Sequence, residues 1–323
     1  MRTFPLLFLL ACDGGEKEDS GDTDTTISTE QGVRGTIDAP EHCPSPGVVD
    51  IWTALSGAAA CDWSPEFDTG FNDTGDWTDN VGDIVDSPAV TDDTFESTLD
   101  AGDYEARTFD DCYGCAAFTV AEGAVTEVTL ALRETVYADA PNLYLYPEEP
   151  VGVRVQLASA RHIVAADPAY PPDGWQALAT PEGTLHTEAG PADFLFYELR
   201  LPPTRLQREA GWCVPGHLAQ ASIEESMALA GFLGAEVEDF SDFWDAWWPE
   251  ADWMTVYPQT QRLGALRITP APDSLLRLWF VVEDGCAPVE VPVMPQVTRA
   301  GFHAAEWGVV FDQAYGRGWD IVQ

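Results

Sequence analysis

Short runs in which apolar and polar side chains alternate recur along this chain, each closed by Gly, Pro or Asp, and that pattern dictates half-buried strands. Tyr104, Ala106 and Thr108 alternate with Glu105 and Arg107, and Val128, Leu130 and Leu132 with Glu127, Thr129 and Ala131. Val151, Val153, Val155 and Leu157 do the same with Gly152, Arg154 and Gln156. Successive strand side chains point to opposite faces, so each run buries one row and leaves the other in water. Further extended runs at Gly32–Asp38 and Gly47–Leu55 flank a Pro-rich turn, and Ala101-Gly102-Asp103 and Ala121-Glu122-Gly123 supply turns between strands. This predicts a β-sandwich over residues 32–135.

A second block, residues 136–323, opens with PNLYLYPE (141–148). Strands are expected at Trp175–Thr180, Phe194–Leu201, Leu263–Thr269, Leu275–Glu283 and Val289–Val293. Between them, Ser222 and Glu225 have the spacing of a capping box, and Ile223, Met227 and Ala230 recur at helical spacing before Gly234. Val237, Phe240, Trp244 and Trp247 form another amphipathic run, stopped by Pro249. Two helices inserted among antiparallel strands predict an α+β domain. The expected fold class is therefore mainly β: an Ig-like sandwich, then an antiparallel-sheet domain with an inserted helix pair.

The N-terminus has the layout of an export signal: Arg2, an apolar run from Phe4 to Leu10 broken only by Pro5, then Ala11 and Cys12. The run is far shorter than the roughly 20 residues that span a bilayer. Leu9-Leu10-Ala11-Cys12 resembles a bacterial lipobox, which implies a signal peptide at 1–11 and a lipid on Cys12. Residues 12–31 would follow as an acidic, Gly/Ser/Thr-rich disordered tether. Lys and Arg number 15 against 55 Asp and Glu, a net charge of −40, which argues against nucleic acid and against adsorption to anionic head groups. The membrane contact would come through the lipid.

Setting Cys12 aside leaves six of the 7 cysteines, an even set suited to disulfides in an oxidising compartment. Cys213 and Cys286 would pair, and two bridges would form among Cys43, Cys61, Cys112 and Cys115 with the pairing open. Cys112 and Cys115 lack the second close pair that a zinc knuckle needs.

Two stretches then carry resemblances. FESTLDAGDYEAR (95–107) and AFTVAEGAVTEVTL (117–130), with GTI (35–37) and PGVVDI (46–51), resemble the carboxypeptidase regulatory-like, prealbumin-like β-sandwich. That resemblance implies a non-catalytic accessory module. In the second block, LYLYPE (143–148), GW (174–175), PEGTL (181–185), FLFYE (194–198), PAPDS (270–274) and EWG (306–308) resemble an uncharacterised bacterial family. This implies a recurring unit and brings no activity with it.

An acidic insertion at 60–93 departs from the sandwich pattern. Its Asp68, Asp73, Asp76 and Asp79 offer oxygens to a hard cation such as calcium, but the spacing lacks the Gly and Glu of a helix-loop-helix calcium site. A solvated loop with no cofactor is the favoured reading.

Glu148, Glu198 and Glu306 lie in the recurring patches and are the candidate carboxylates for hydrolysis, which needs two of them opposed across a cleft. His303 and Glu306 have H-x-x-E spacing, yet no His follows to complete a zinc site. Trp244, Trp247 and Trp248, with Trp253 beyond, are candidate binding residues; such a stripe is more often the buried side of a helix hairpin. Together these features predict a lipid-anchored protein of the bacterial cell envelope, facing periplasm or exterior, that acts as a binding or structural module toward an envelope glycan or protein. An exported glycan or peptide hydrolase is the competing expectation.

Overall fold

The computed structural model describes residues 31–54, 61, 83–157, 160–202, 206–260 and 266–311. Cys12, the tether and Asp68, Asp73, Asp76 and Asp79 lie outside the described residues.

The first alternating runs form β1 (Gly32–Asp38), β2 (Asp50–Thr53), β3 (Ile84–Asp86), β4 (Thr94–Thr98), β5 (Gly102–Phe109), β6 (Cys112–Val120), β7 (Val125–Ala131) and β8 (Arg133–Glu134). A three-stranded sheet, β4-β1-β7, faces a five-stranded one, β3-β2-β5-β6-β8. Val33, Ile51, Phe95, Ala106 and Leu130 fill the space between them. This is the expected sandwich, with β1 and β7 running parallel. Cys43 bonds to Cys112 and Cys61 to Cys115, which settles the pairing among the first four.

The second block contributes β9 (Val136–Tyr146), β10 (Val151–Leu157), β11 (Ile163–Asp167), β12 (Trp175–Ala179), β13 (Leu185–Thr187), β14 (Gly190–Ala192) and β15 (Leu195–Leu201). After them come β16 (Trp212–Pro215), helices α1 (Gly216–Ala230) and α2 (Gly234–Trp244), β17 (Trp253–Gln259), β18 (Leu266–Thr269), β19 (Ser274–Asp284) and β20 (His303–Phe311). A five-stranded sheet, β14-β13-β12-β10-β18, stacks on a seven-stranded one, β11-β15-β9-β20-β19-β17-β16. Val155, Trp175, Leu143, Tyr197 and Trp279 pack between the two sheets. The helices cover the other face of the seven-stranded sheet through Ile223, Met227, Phe240 and Trp244. No helix among the described residues is long and apolar enough to cross a membrane.

Three expectations are corrected. The central strands β19 and β20 are parallel, in a sheet that was expected to be antiparallel throughout. Both are covered on two faces, so they show continuous apolar runs instead of alternation. Val289–Val293 is no strand: it belongs to a strap, residues 285–302, that carries the chain back between the two parallel strands. Pro288, Pro292 and Pro295 remove ladder donors there, Val291 and Val293 are 91% and 93% exposed, and among the described residues a single bridge, Ala210 to Glu290, touches a neighbour. Finally, α1 starts at Gly216, not at a Ser222 cap. The Ser222 hydroxyl accepts from Trp212 Nε1 at 2.9 Å and donates to the Ala219 carbonyl at 2.7 Å. The Glu that serves a helix start is Glu236, which accepts the Leu233 N–H at 2.6 Å.

Gly231 ends α1 at φ 116, and a Cβ there would lie 2.6 Å from the Val297 carbonyl oxygen, so glycine lets the strap press onto the helix end. Cys213–Cys286 fastens the other end of the strap to β16. The sandwich is also locked to the second block. Tyr113 enters the inter-sheet core with Phe109 against it, and Arg200 reaches Asp110 at 2.7 Å and Asp111 at 2.8 Å.

Candidate functional site

Strand β9 lies inside the seven-stranded sheet, and its alternation sends Leu143 and Leu145 into the inter-sheet core and Tyr144 and Tyr146 to the helix side. There the Tyr144 hydroxyl donates to Asp239 Oδ2 on α2 at 3.0 Å. It accepts from Trp307 Nε1 at 3.2 Å and from Asn142 Nδ2 at 3.5 Å. The Tyr146 ring lies parallel to that of Tyr144, 6.5 Å away, and Phe194 stands 5.5 Å from Tyr144. Gly183, at φ 93, turns directly over Tyr146: a Cβ would fall 2.6 Å from the ring.

The strap completes the arrangement. Arg299 places its guanidinium 5.2 Å from the Tyr146 ring centre and ion-pairs with the buried Glu236. His303, the cross-strand neighbour of Tyr146, joins its Nδ1 to Ser274 Oγ at 2.7 Å. The result is a half-exposed ledge of Tyr146, Phe194, Asp239 and Arg299, rimmed by exposed Asp193, Glu238 and Asp242.

Its electrostatics are acidic. Burial raises the Asp239 carboxyl, the Tyr144 hydrogen bond partly offsets this, and Asp193, Asp242 and Glu238 raise it further. Burial, then the neighbouring Asp239 and Glu236 carboxylates, raise the Tyr144 and Tyr146 hydroxyls respectively. Burial, with Arg299 nearby, pushes His303 down to about 4. Asn142 Oδ1, Glu236 Oε1 and His303 Nε2 are buried here with no hydrogen-bond partner among the described residues.

The three candidate glutamates do not converge. Glu306 is fully buried between the sheets, where Arg277 ion-pairs with it and Tyr197 donates to it. Tyr197 shares that core with Leu195 and Leu199, so Glu198 between them faces the opposite side of the sheet, like Phe196. Glu148 is exposed in the turn after β9. His303 and Glu306, three apart on a strand, likewise face opposite sides, which dissolves the H-x-x-E arrangement. Among the described residues, no three His, Cys, Asp or Glu side chains are grouped to hold a metal ion.

Glu198 is nonetheless unusual. It is 5% exposed, makes no hydrogen bond or ion pair among the described residues, and burial pushes its carboxyl up to about 7. A carboxyl raised in the fold contributes stability that is complete below its unfolded value of 4.5 and is lost as pH rises through about 7. Glu198→Gln should therefore keep about 3 kcal/mol that the wild type loses between pH 4.5 and pH 8. His303 acts in the other direction, losing its contribution as pH falls from 6.5 through about 4, but it is common to both proteins. Urea unfolding of the pair at both pH values isolates Glu198; parallel pH profiles would refute the assignment.

Trp244 is buried against Phe240, Phe243, Trp248 and Phe311, so the tryptophan stripe is chiefly the core side of the helix pair. Trp247 and Trp253 stay about half exposed, at 52% and 48%.

Reading the sequence for paired glutamates missed Tyr144, Tyr146, Glu236, Asp239, Arg299 and His303. A signal was present, because LYLYPE, PEGTL, FLFYE and EWG are the segments that meet at the ledge.

No family model matches the chain, and no curated protein matches it. Among solved structures, a streptococcal ancillary pilin matches with 10% sequence identity over 57% of this chain and a TM-score of 0.24. The matched part is 57% of the pilin chain, and the likeness is too slight to speak to fold or function.

Proposed function

We propose that this chain is an exported, lipid-anchored binding module of the bacterial cell envelope whose recognition surface is the Tyr146–Asp239 ledge. Three disulfides support an oxidising, extracytoplasmic compartment. In this reading the lipid on Cys12 holds the chain, the acidic tether sets its reach, and the sandwich is a spacer joined stiffly to the recognition block through Arg200.

The observation that carries the reading is the ledge. Separated segments meet there on rigid strands and a helix to present aromatic rings inside a polar rim, as recognition surfaces do. A hydrolase using Glu148, Glu198 and Glu306 is less well supported, because Glu198 and Glu306 lie on opposite faces of one sheet.

The test is cosedimentation of the full chain with envelope preparations of the bacterium that makes it. Tyr146→Ala should lower the bound fraction at least tenfold with an unchanged circular dichroism spectrum. Equal sedimentation of variant and wild type would move recognition elsewhere. Mass spectrometry showing a bare Cys12 behind an intact Met1 would remove the anchor.

A further inference from the structure

We propose that the outer face of the five-stranded sheet docks a carboxylate-bearing glycan, a chain of uronic acid residues. This face lies across the second block from the ledge, behind the inter-sheet core, so the inference goes beyond the ledge reading and fails or stands separately. Val153, Val155, Trp175, Ala177, Leu185 and Ile268 point into that core. Strand alternation therefore turns Arg154, Gln156, Gln176, His186, Arg267 and Thr269 outward. The face is uncovered. Arg154, Gln176, His186 and Thr269 are exposed, and a Cβ added at Gly152 on β10 would meet nothing within 4 Å.

Charge sets this face apart. The chain carries 55 Asp and Glu against 15 Lys and Arg, yet no outward position of these five strands is a carboxylate. Carboxylates stand in the turns instead, with Glu149 and Glu182 at one end of the strands and Asp173 at the other. Arg154 and Arg267 lie diagonally on neighbouring strands, about 7–8 Å apart. Gln176 is directly opposite Arg154, and Gln156 directly opposite Arg267. The side chains of Arg154, Gln156 and Gln176 make no hydrogen bond or ion pair among the described residues, whereas Arg34, Arg200, Arg208, Arg277 and Arg299 each sit on a carboxylate. Two guanidinium groups on one open face repel, and an anion between them removes the repulsion and engages both forks. The net charge of −40 does not prevent this at contact, because salt screens charges beyond about 8 Å.

Shape selects a glycan among anions. Beside the guanidinium band, the cross-strand row Gly152, Leu178, His186 and Pro191 forms a low shelf, with Leu178 45% exposed. A uronic acid ring presents hydroxyls and a carboxylate at its edge and C–H groups on its face, which match amide, guanidinium and shelf. Adjacent strands lie about 4.8 Å apart, close to the rise of one sugar in an extended glycan. A chain laid across the strands thus sets one ring over each, clear of the acidic turns at both strand ends. A flexible polyol phosphate has no ring face for the shelf and loses more conformational freedom on binding.

The experiment is calorimetric titration of the full chain with tetragalacturonate, the neutral galactose tetramer and tetraglutamate. Tetragalacturonate should bind saturably, and more weakly at about 200 mM salt than at about 50 mM. Arg154→Gln and Gly152→Glu should each lower its affinity by at least about tenfold. Gly152→Glu removes no group and enters open space, so it tests the face even if Arg154→Gln perturbs the sheet. Arg133→Gln, at an exposed arginine on β8, should bind as the wild type does. Equal loss in Arg133→Gln would mean diffuse attraction and overturn the site. Equal or tighter binding of tetraglutamate would overturn the glycan, and equal binding of the neutral tetramer would overturn the part given to the arginines. If no probe binds while Tyr146→Ala still abolishes envelope binding, the glycan proposal fails and the ledge reading stands.

Discussion

Arg277→Met is expected to destabilise the fold by about 3–5 kcal/mol in urea melts at pH 7, more than an ordinary core substitution. The variant strands the Glu306 carboxylate, fully buried between two sheets, with Tyr197 as its remaining partner. The magnitude comes from the uncompensated charge, since a buried ion pair is itself worth little against an apolar replacement. The triple variant Arg277→Met, Glu306→Leu, Tyr197→Phe should accordingly recover most of the loss, because it removes the charge, its partner and the orphaned hydroxyl together. A loss below 1 kcal/mol in the single variant would show that water reaches Glu306, contrary to its full burial.

Removing the Cys213–Cys286 bridge by double alanine substitution should cost about 4 kcal/mol, as expected for a link across a sequence separation of 73. The effect is more than loop entropy. The bridge ties the start of the strap to β16, beside the backbone bonds from Gly211 N–H to the Glu290 carbonyl and from Glu290 N–H to the Glu209 carbonyl. Farther along, the same strap delivers Met294 and Val297 to the helix-side core and Arg299 to Glu236. The double variant should therefore be cut by protease within 287–300 at least tenfold faster than the wild type under native conditions. Unchanged cleavage would mean that the strap is held without the bridge, by the Glu290 backbone bonds, Met294, Val297 and Arg299.

Alternation made the half-buried strands legible. Gly32–Asp38 and Val151–Leu157 each wet one face, so periodicity in the sequence reports their geometry directly. Central strands lose that signal. His303–Phe311 is buried on nearly every residue, and its His and Glu resembled a metal motif until the strand period placed them on opposite sides. Val289–Val293 erred the other way: β-branched residues alternate there, but prolines deny the backbone a ladder.

What the amino-acid order determined by itself was local: which runs are extended, where amphipathic faces wind into helices, that the cysteines downstream of Cys12 form an even set, and that the net charge is strongly negative. Each of these depends on neighbours a few residues apart or on simple counts. What only the tertiary structure decided was which distant side chains share an environment. Tyr146, Phe194, Asp239 and Arg299 form one ledge, while Glu198 and Glu306 are divided by the sheet that carries both. Strand order and register set those distances, and they arise from packing among residues far apart in the chain, which no local period records.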